Sequence, residues 1–398
     1  MSDNSKGSIL LVLCLAALIL TIRKTDALVN PQFWAEDGTL FFLEQYKYGV
    51  SAFFRDYAGY LHLVPRVIAL FADRFFPYSL VPTVYNYSSL FITLSVVLSV
   101  FSPRFKLNNK PLAALAIVLV PHYKNEIFLN ITNLQWLLAI VLIIVLLKSN
   151  PAIEYGNISL QYISDLAIIV ICGLTGPFIV FLAPFFCYKY LQTRTKYNSI
   201  VTVAVVLISA IQLYVLSSST SESTGFNFSL DIYSQVIGHK FWGSFWLGSK
   251  LAYDLNHYFL SCICIVVMSL MLWFAFRQKN IFAFFFISIS CVFILATFYR
   301  FIGNPEILIV PSNGPRYFYI PYLMLTWSLI AWQGKYAKWK NGLLILILIS
   351  SLNNKFYSKA FTDYDWKSYS DRIGKESLAI PINPEGWIVN LDANPRSN

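Results

Sequence analysis

The chain has 398 residues, of which 57% are hydrophobic and only 13% charged, and its mean hydropathy is +0.58. Soluble domains carry about 25% charged residues, so this composition excludes a water-soluble globular protein. The net charge of +10 does not point to nucleic acid, because Lys and Arg sit in short loops: Lys189, Arg194 and Lys196; Arg277 and Lys279; Lys335, Lys338 and Lys340. That is the positive-inside pattern of a membrane protein, with a smaller share of the charge left to attract anionic membrane lipids.

In chain order, the first apolar run is 8–22, after Lys6. Arg23 and Lys24 follow it, where a signal peptide would place small residues at a cleavage site, so an uncleaved first helix is expected. Further crossings are expected near 79–101, 111–121, 134–148, 199–217, 257–276, 281–299, 317–333 and 342–352. The runs are continuous, whereas a barrel would alternate apolar and polar residues over strands of about ten. The expected fold is therefore all-α, a polytopic transmembrane helical bundle of about 9–11 helices. Residues 1–352 form the membrane domain and 353–398 a polar tail outside it.

Two stretches admit two threadings. Residues 61–77 are interrupted by Pro65, Arg66, Asp73 and Arg74, and 163–187 carry Gly173, Gly176 and Pro177 in the middle. A kinked helix or two short ones would fit the second. Placing the basic loop 102–110 inside makes 61–77 a surface or re-entrant piece and splits 163–187 into two crossings. Letting 61–77 span places 102–110 outside. Charge favours the first and helix economy the second; both leave 23–60 and the tail outside. Within 23–60, Val50, Phe53, Phe54 and Tyr57 follow a helical period, and two interfacial helices lying apolar face down are expected. The six cysteines lie in or beside apolar runs and read as packing residues.

The polar motifs cluster in the outer segments. Glu36 and Asp37 stand side by side in Phe33-Trp34-Ala35-Glu36-Asp37-Gly38. They either open an interfacial helix, where carboxylates complement the dipole, or supply a general base at the membrane–water boundary. Tyr57, Tyr60 and His62 precede Pro65-Arg66; Arg66 suits a lipid phosphate or a headgroup contact equally well. His122 to Glu126, then Asn130, Asn133, Gln135 and Trp136, form a dense polar lead into a helix, of the kind that binds carbohydrate or simply caps at the interface. Residues 173–178 break a buried helix, as backbone lining a wet cavity does. Arg316 and Tyr317 sit where a helix re-enters the membrane, and an outer Arg against the positive-inside tendency suggests phosphate binding. P-loop, dinucleotide, zinc-protease and nucleophile-elbow signatures are missing from the sequence. A nucleotide-sugar enzyme would need a soluble cytoplasmic domain for which there is no room, so an activated donor carried in the membrane is the expected substrate type.

With FWAEDG (33–38), YAGYLHLVPR (57–66), NITNLQW (130–136), LTGPF (174–178), NGPRYFYIP (313–321) and INPEGW (382–387) taken together, the chain resembles the GT-C glycosyltransferases. Within that class it looks like the phage-encoded, serotype-converting O-antigen glucosyltransferases of the Gtr type. The resemblance implies a bacterial inner-membrane enzyme with its active site on the periplasmic face. It would transfer a hexose, glucose by analogy, from undecaprenyl-phosphate-sugar to an O-antigen polysaccharide, a modification of lipopolysaccharide that converts serotype. Glu36 or Asp37 would be the base, Arg316 and Arg66 would face the leaving phosphate, and no cofactor or metal is implied. A companion donor synthase and flippase would supply the lipid donor. The chain departs from the pattern in having no large periplasmic domain, which leaves acceptor recognition to the loops and the tail. Two other classes fit less closely: a lipid-linked oligosaccharide flippase or transporter, and an O-antigen polymerase.

Overall fold

The computed structural model describes residues 5–151, 160–218, 229–332, 340–354 and 356–393. The chain is mostly helical, 72% helix with 4% strand. The long helices are α1 Lys6–Arg23, α2 Leu63–Phe75, α3 Val81–Ser99, α4 Lys110–Leu119, α5 Leu134–Leu147, α6 Leu160–Gly173, α7 Phe178–Thr193, α8 Lys196–Ser218, α9 His257–Arg277, α10 Ile281–Arg300, α11 Tyr319–Trp332 and α12 Lys340–Asn353. Five segments are long and apolar enough to cross a membrane: Lys6–Arg23, Tyr78–Ser99, Lys196–Ser218, His257–Arg277 and Ile281–Arg300. Large apolar side chains stand exposed along them, such as Leu10, Leu11 and Leu18 on α1 and Phe259, Ile265 and Val266 on α9. Such faces suit a hydrocarbon surrounding rather than water.

The centre is α5 and α11. Every residue of α5 from Leu134 to Leu146 is buried, and α11 is buried from Tyr319 to Ser328. A helix apolar all round belongs inside protein. Polar pins set the packing: Trp327 Nε1 donates to the Ala113 carbonyl at 2.9 Å and the Tyr319 hydroxyl to that of Ile117 at 2.7 Å, tying α11 to α4.

Contacts sort the loops into two faces. On one, Arg104 pairs with Asp165 at 2.5 Å, Lys148 pairs with the same carboxylate at 3.2 Å, Ser149 N–H donates to the Arg104 carbonyl at 2.8 Å and Asn150 reaches Thr195 at 3.0 Å. On the other, Arg23 at the end of α1 is fully buried. Its guanidinium donates to Asn125 Oδ1 at 2.7 Å and to the Val118 carbonyl at 2.6 Å, between the rings of Phe128 and Phe356. The two basic residues after the first apolar run are thus a hub and not a loose flank.

The same sorting places the 61–77 stretch relative to the bundle. His62, at the start of α2, bridges Thr175, and the Tyr78 carbonyl just past its end accepts from Trp366 Nε1 at 2.8 Å. Both ends of α2 therefore sit on the Glu36 face, and the helix lies along that face without traversing the bundle. The 163–187 stretch becomes two helices, α6 and α7, and 102–110 joins the basic face. The eleven remaining long helices alternate between the two faces among the described residues.

Three expectations are corrected. The 23–60 segment is helical in part, but not as two regular α-helices. It contains a turn of helix at Asp26–Val29, a π-helix at Asp37–Phe42, a short α-helix at Leu43–Tyr48 and a 3₁₀ turn at Gly49–Phe54. The period through Val50, Phe53 and Tyr57 fails because Gly49 takes φ +56 and Tyr57 pairs with Tyr60 as an extended bridge. The 173–178 break is a mostly buried turn between two helices, packed on Leu61 and Gln135. And the fold is not purely helical: β1 Leu378–Ile382 pairs antiparallel with β2 Trp387–Leu391 in the tail. Leu378, Ile380 and Ile382 point inward, as one face of a half-buried strand must. The cysteines are all free.

Candidate functional site

The acidic motif is held by the tail. Asn383, just after β1, accepts from Ala35 N–H at 2.5 Å through its carbonyl and donates to the Phe33 carbonyl at 3.3 Å. Ile382 and Val389 close over Gly38, where an added Cβ would meet them at 2.7 and 3.0 Å. This clamp permits a left-handed Ala35, φ +44, from which the π-helix starts. Ala58, Lys124, Asn125 and Leu129 also take positive φ in the neighbouring loops. Such conformations cost about 1–3 kcal/mol each and concentrate at functional sites. π-Helical turns do likewise.

The turn sends the two carboxylates to different environments. Asp37 is fully buried. One oxygen accepts from Thr132 N–H at 2.9 Å and the Thr132 hydroxyl at 2.5 Å, and the other from Ile131 N–H at 3.2 Å. Burial raises its pKa to about 6, against the pull of those hydrogen bonds, with the charge of Glu36 adding to the rise. Lys24, which donates to the Phe128 carbonyl at 2.8 Å beside Trp34 and Phe361, lies in its field. Glu36 is half-buried and accepts one bond, from the Tyr57 hydroxyl at 2.8 Å. Asp37 therefore ties two loops together, and Glu36 is the more accessible carboxylate.

Around Glu36 most of the sequence-predicted residues come together. Tyr57 and Tyr60 form a backbone bridge, and the Tyr60 ring lies 4.8 Å from His62. The Tyr60 hydroxyl neighbours the Gln135 side chain, and burial pushes its pKa up to about 12. Burial and the charge of Arg66 lower His62 to about 3, so its ring is neutral at physiological pH. The Gly176 N–H donates to the Leu61 carbonyl at 2.9 Å and Thr175 Oγ1 accepts from Val64 N–H at 3.1 Å, which is how the LTGPF turn docks the YLH segment. Trp136 sits 4.6 Å from Phe178 and edge-on to Tyr317 at 5.2 Å. Gln135 Oε1 and Trp136 Nε1 are buried with no partner among the described residues.

Arg316 pairs with Glu126 and lies over Tyr317. Burial works to lower its pKa, but Glu126, Tyr317 and Glu36 outweigh it and hold the guanidinium above its ordinary value. Its loop is fixed from below by Lys240, which donates to the carbonyls of Leu308 at 2.8 Å, Val310 at 3.0 Å and Asn313. Arg66 takes no place beside it. Its side chain is buried, paired with Glu44 at 2.5 Å and set against Phe41 behind His62. Asn130 and Asn133 donate to the Glu126 carbonyl at 2.7 and 3.0 Å, shaping the loop that receives Asp37.

Four residues join the site from outside the predicted set. Glu126 and Asn383 lay in motifs visible in the sequence, yet only their partners give them a role. Thr132 is similar. Arg300, at the end of α10, is exposed, acts on the Tyr60 hydroxyl and carries no ion pair among the described residues. No group of three or more metal-ligating side chains occurs among the described residues.

Gly176 supplies a first test. It takes φ +95, and a Cβ there would lie 2.5 Å from Gln135 Oε1 and 2.9 Å from Gln135 Cβ. Gly176→Ala is expected to cost about 1–3 kcal/mol through overpacking and to move Gln135 away from Tyr60. A lower melting temperature in detergent measures the first effect, and loss of binding or turnover at unchanged protein level the second.

No protein-family profile matches the chain, and no characterised protein or solved structure is significantly similar to it.

Proposed function

We propose that this protein is a polytopic membrane glycosyltransferase of the GT-C kind. In this reading it transfers a hexose from undecaprenyl-phosphate-sugar to an O-antigen sugar on the periplasmic side of the bacterial inner membrane. The observation that carries the reading is the gathering of Glu36, Tyr57, Tyr60, Gln135, Trp136, Arg316 and Tyr317 at one loop face of an apolar helical bundle. The alternating helices read as eleven crossings, with the basic loops on the cytoplasmic side and the Glu36 face outside.

The chemistry is a single displacement. The acceptor hydroxyl gives its proton to the Glu36 carboxylate and its oxygen bonds to the anomeric carbon. The bond from that carbon to the phosphate oxygen breaks, and the electron pair leaves with undecaprenyl phosphate. The leaving phosphate needs no proton at neutral pH, so cations suffice to stabilise it. Arg300, which has no ion pair among the described residues, is the cation for this task; Arg316 can serve by exchanging part of its bond to Glu126. Asp37 anchors the base and does not itself take the proton. The buried, unpartnered polar atoms of Gln135 and Trp136 match the paired donors and acceptors of a sugar.

Structural analysis of O-antigen from cells with and without the gene tests the reading. A gain of one hexose branch supports it, and its linkage identifies the acceptor position. Unchanged O-antigen at normal protein level would refute it. A transporter is distinguished by cysteine labelling. Single cysteines at Asn313 and Ser377 are expected to react from the periplasm only, whereas reactivity that changes sides with substrate would favour transport.

A further inference from the structure

A cavity of about 690 Å³ opens on the basic face of the bundle, away from Glu36. Its polar part is lined by Lys106, Asn108 and Gln278, and its apolar part by Met271, Phe274 and Phe282. The volume is within the roughly 300–1,000 Å³ range of small-molecule sites. Two of the segments around it, the 102–110 loop and 270–282 at the junction of α9 and α10, contain Arg104, Lys106, Lys110, Arg277 and Lys279 and no Asp or Glu; Ala331 and Trp332 of α11 line it as well. Arg104 is committed to Asp165, and Lys110 donates to the Ser102 carbonyl. Lys106 is exposed and makes no ion pair among the described residues. The N-terminus of α10, which starts at Ile281, adds partial positive charge beside the cavity.

The apolar part continues outward. Trp273, Phe274, Phe276 and Ile281 are exposed next to it. The cavity thus joins a cationic rim to an apolar wall, the order in which a phospholipid presents its headgroup and its acyl chains. A free phosphate would leave Met271, Phe274 and Phe282 wet, and a zwitterionic lipid would return a positive group toward Lys106.

We propose that this cavity binds an anionic glycerophospholipid of the leaflet on the basic face, with the phosphate at Lys106 and the upper acyl chain along Met271, Phe274 and Phe282. The inference uses the membrane placement and not the transferase chemistry, so binding alone reads it out.

The test is native mass spectrometry of the full chain in detergent. Phosphatidylglycerol, phosphatidylcholine and undecaprenyl phosphate are added at equal concentration, and Lys106→Glu is compared with Lys196→Glu. Lys196 is another exposed cation of the same face, outside the cavity. Phosphatidylglycerol is expected to be retained over phosphatidylcholine. Lys106→Glu should lower that retention at least about five-fold, the scale of one basic contact at an anionic lipid surface, while Lys196→Glu leaves it unchanged. Equal losses in both variants would reduce the effect to general surface charge and overturn the site. Equal retention of phosphatidylcholine would overturn the anionic selectivity. Preferential retention of undecaprenyl phosphate would overturn the glycerophospholipid assignment in favour of the carrier lipid. Gel filtration establishes that both variants fold.

Discussion

Replacing Glu36 by Gln is expected to lower hexose transfer by about 10²–10⁴-fold, the usual contribution of a positioned general base, with the protein's level in the membrane unchanged. The substitution keeps the shape and keeps an oxygen to accept the Tyr57 hydroxyl, so the loop has no reason to rearrange. What it removes is the ability to take a proton. The measurement is transfer from undecaprenyl-phosphate-hexose in membrane preparations, with protein quantified alongside. Full activity in Glu36→Gln would remove the base from this residue. If Asp37→Asn alone then abolished transfer in a well-folded protein, the roles of the two carboxylates would be reversed.

Asp37→Ala is expected to act on the fold. It orphans the Ile131 and Thr132 N–H groups and the Thr132 hydroxyl, all buried. An unsatisfied buried donor costs about 1–3 kcal/mol. Against this stands relief from burying an ionised carboxylate, on the order of 3 kcal/mol for a rise to about 6. Three such donors cost about 3–9 kcal/mol, so the net loss after that relief runs up to about 6 kcal/mol, and its middle is enough to reduce protein recovered from membranes several-fold. Lys24, whose charge Asp37 favours, loses that support as well.

The same group predicts a pH effect. A carboxyl whose folded pKa is raised adds stability below its unfolded value, and that stability is lost as pH rises through about 6. His62 and His122, both lowered by burial, act oppositely and destabilise the fold as pH falls below the ordinary histidine value. The informative quantity is therefore the difference between wild type and Asp37→Asn, in which the histidines cancel. Wild type is expected to gain melting temperature relative to the variant between pH 7 and pH 5. A difference independent of pH would contradict the buried titration.

Much of the bundle was legible because hydropathy is a local property. The runs at 79–101, 199–217, 257–276 and 281–299 became α3, α8, α9 and α10 within a few residues. The first outer segment was not legible. The hydrophobic period through Val50 and Phe53 suggested a helix, but the backbone there follows Gly49, the Tyr57–Tyr60 bridge and the docking of Leu61 onto Gly176. Those determinants lie far apart in sequence. The hairpin was missed for a related reason: Leu378–Ile382 alternates over five residues only, and its pairing depends on β2 and on the loop it clamps.

The sequence by itself determined that the chain is mostly helical with membrane-length apolar runs, which loops are basic, and that Glu36 and Asp37 sit in a polar loop segment. It could not separate two adjacent carboxylates, because neighbours in a chain share composition and context. Only the tertiary structure did so. The π-helical turn after Ala35 rotates Asp37 into the Thr132 loop, where three donors hold it, and leaves Glu36 beside Tyr57 in the field of Arg316. Likewise, only the packing distinguishes Arg66, neutralised behind His62 by Glu44, from Arg300, which carries no ion pair among the described residues. The physical reason is the same in both cases. Ionisable groups are made structural or chemical by what desolvates and pairs them, and those partners come from 95 residues away at Thr132 as readily as from next door.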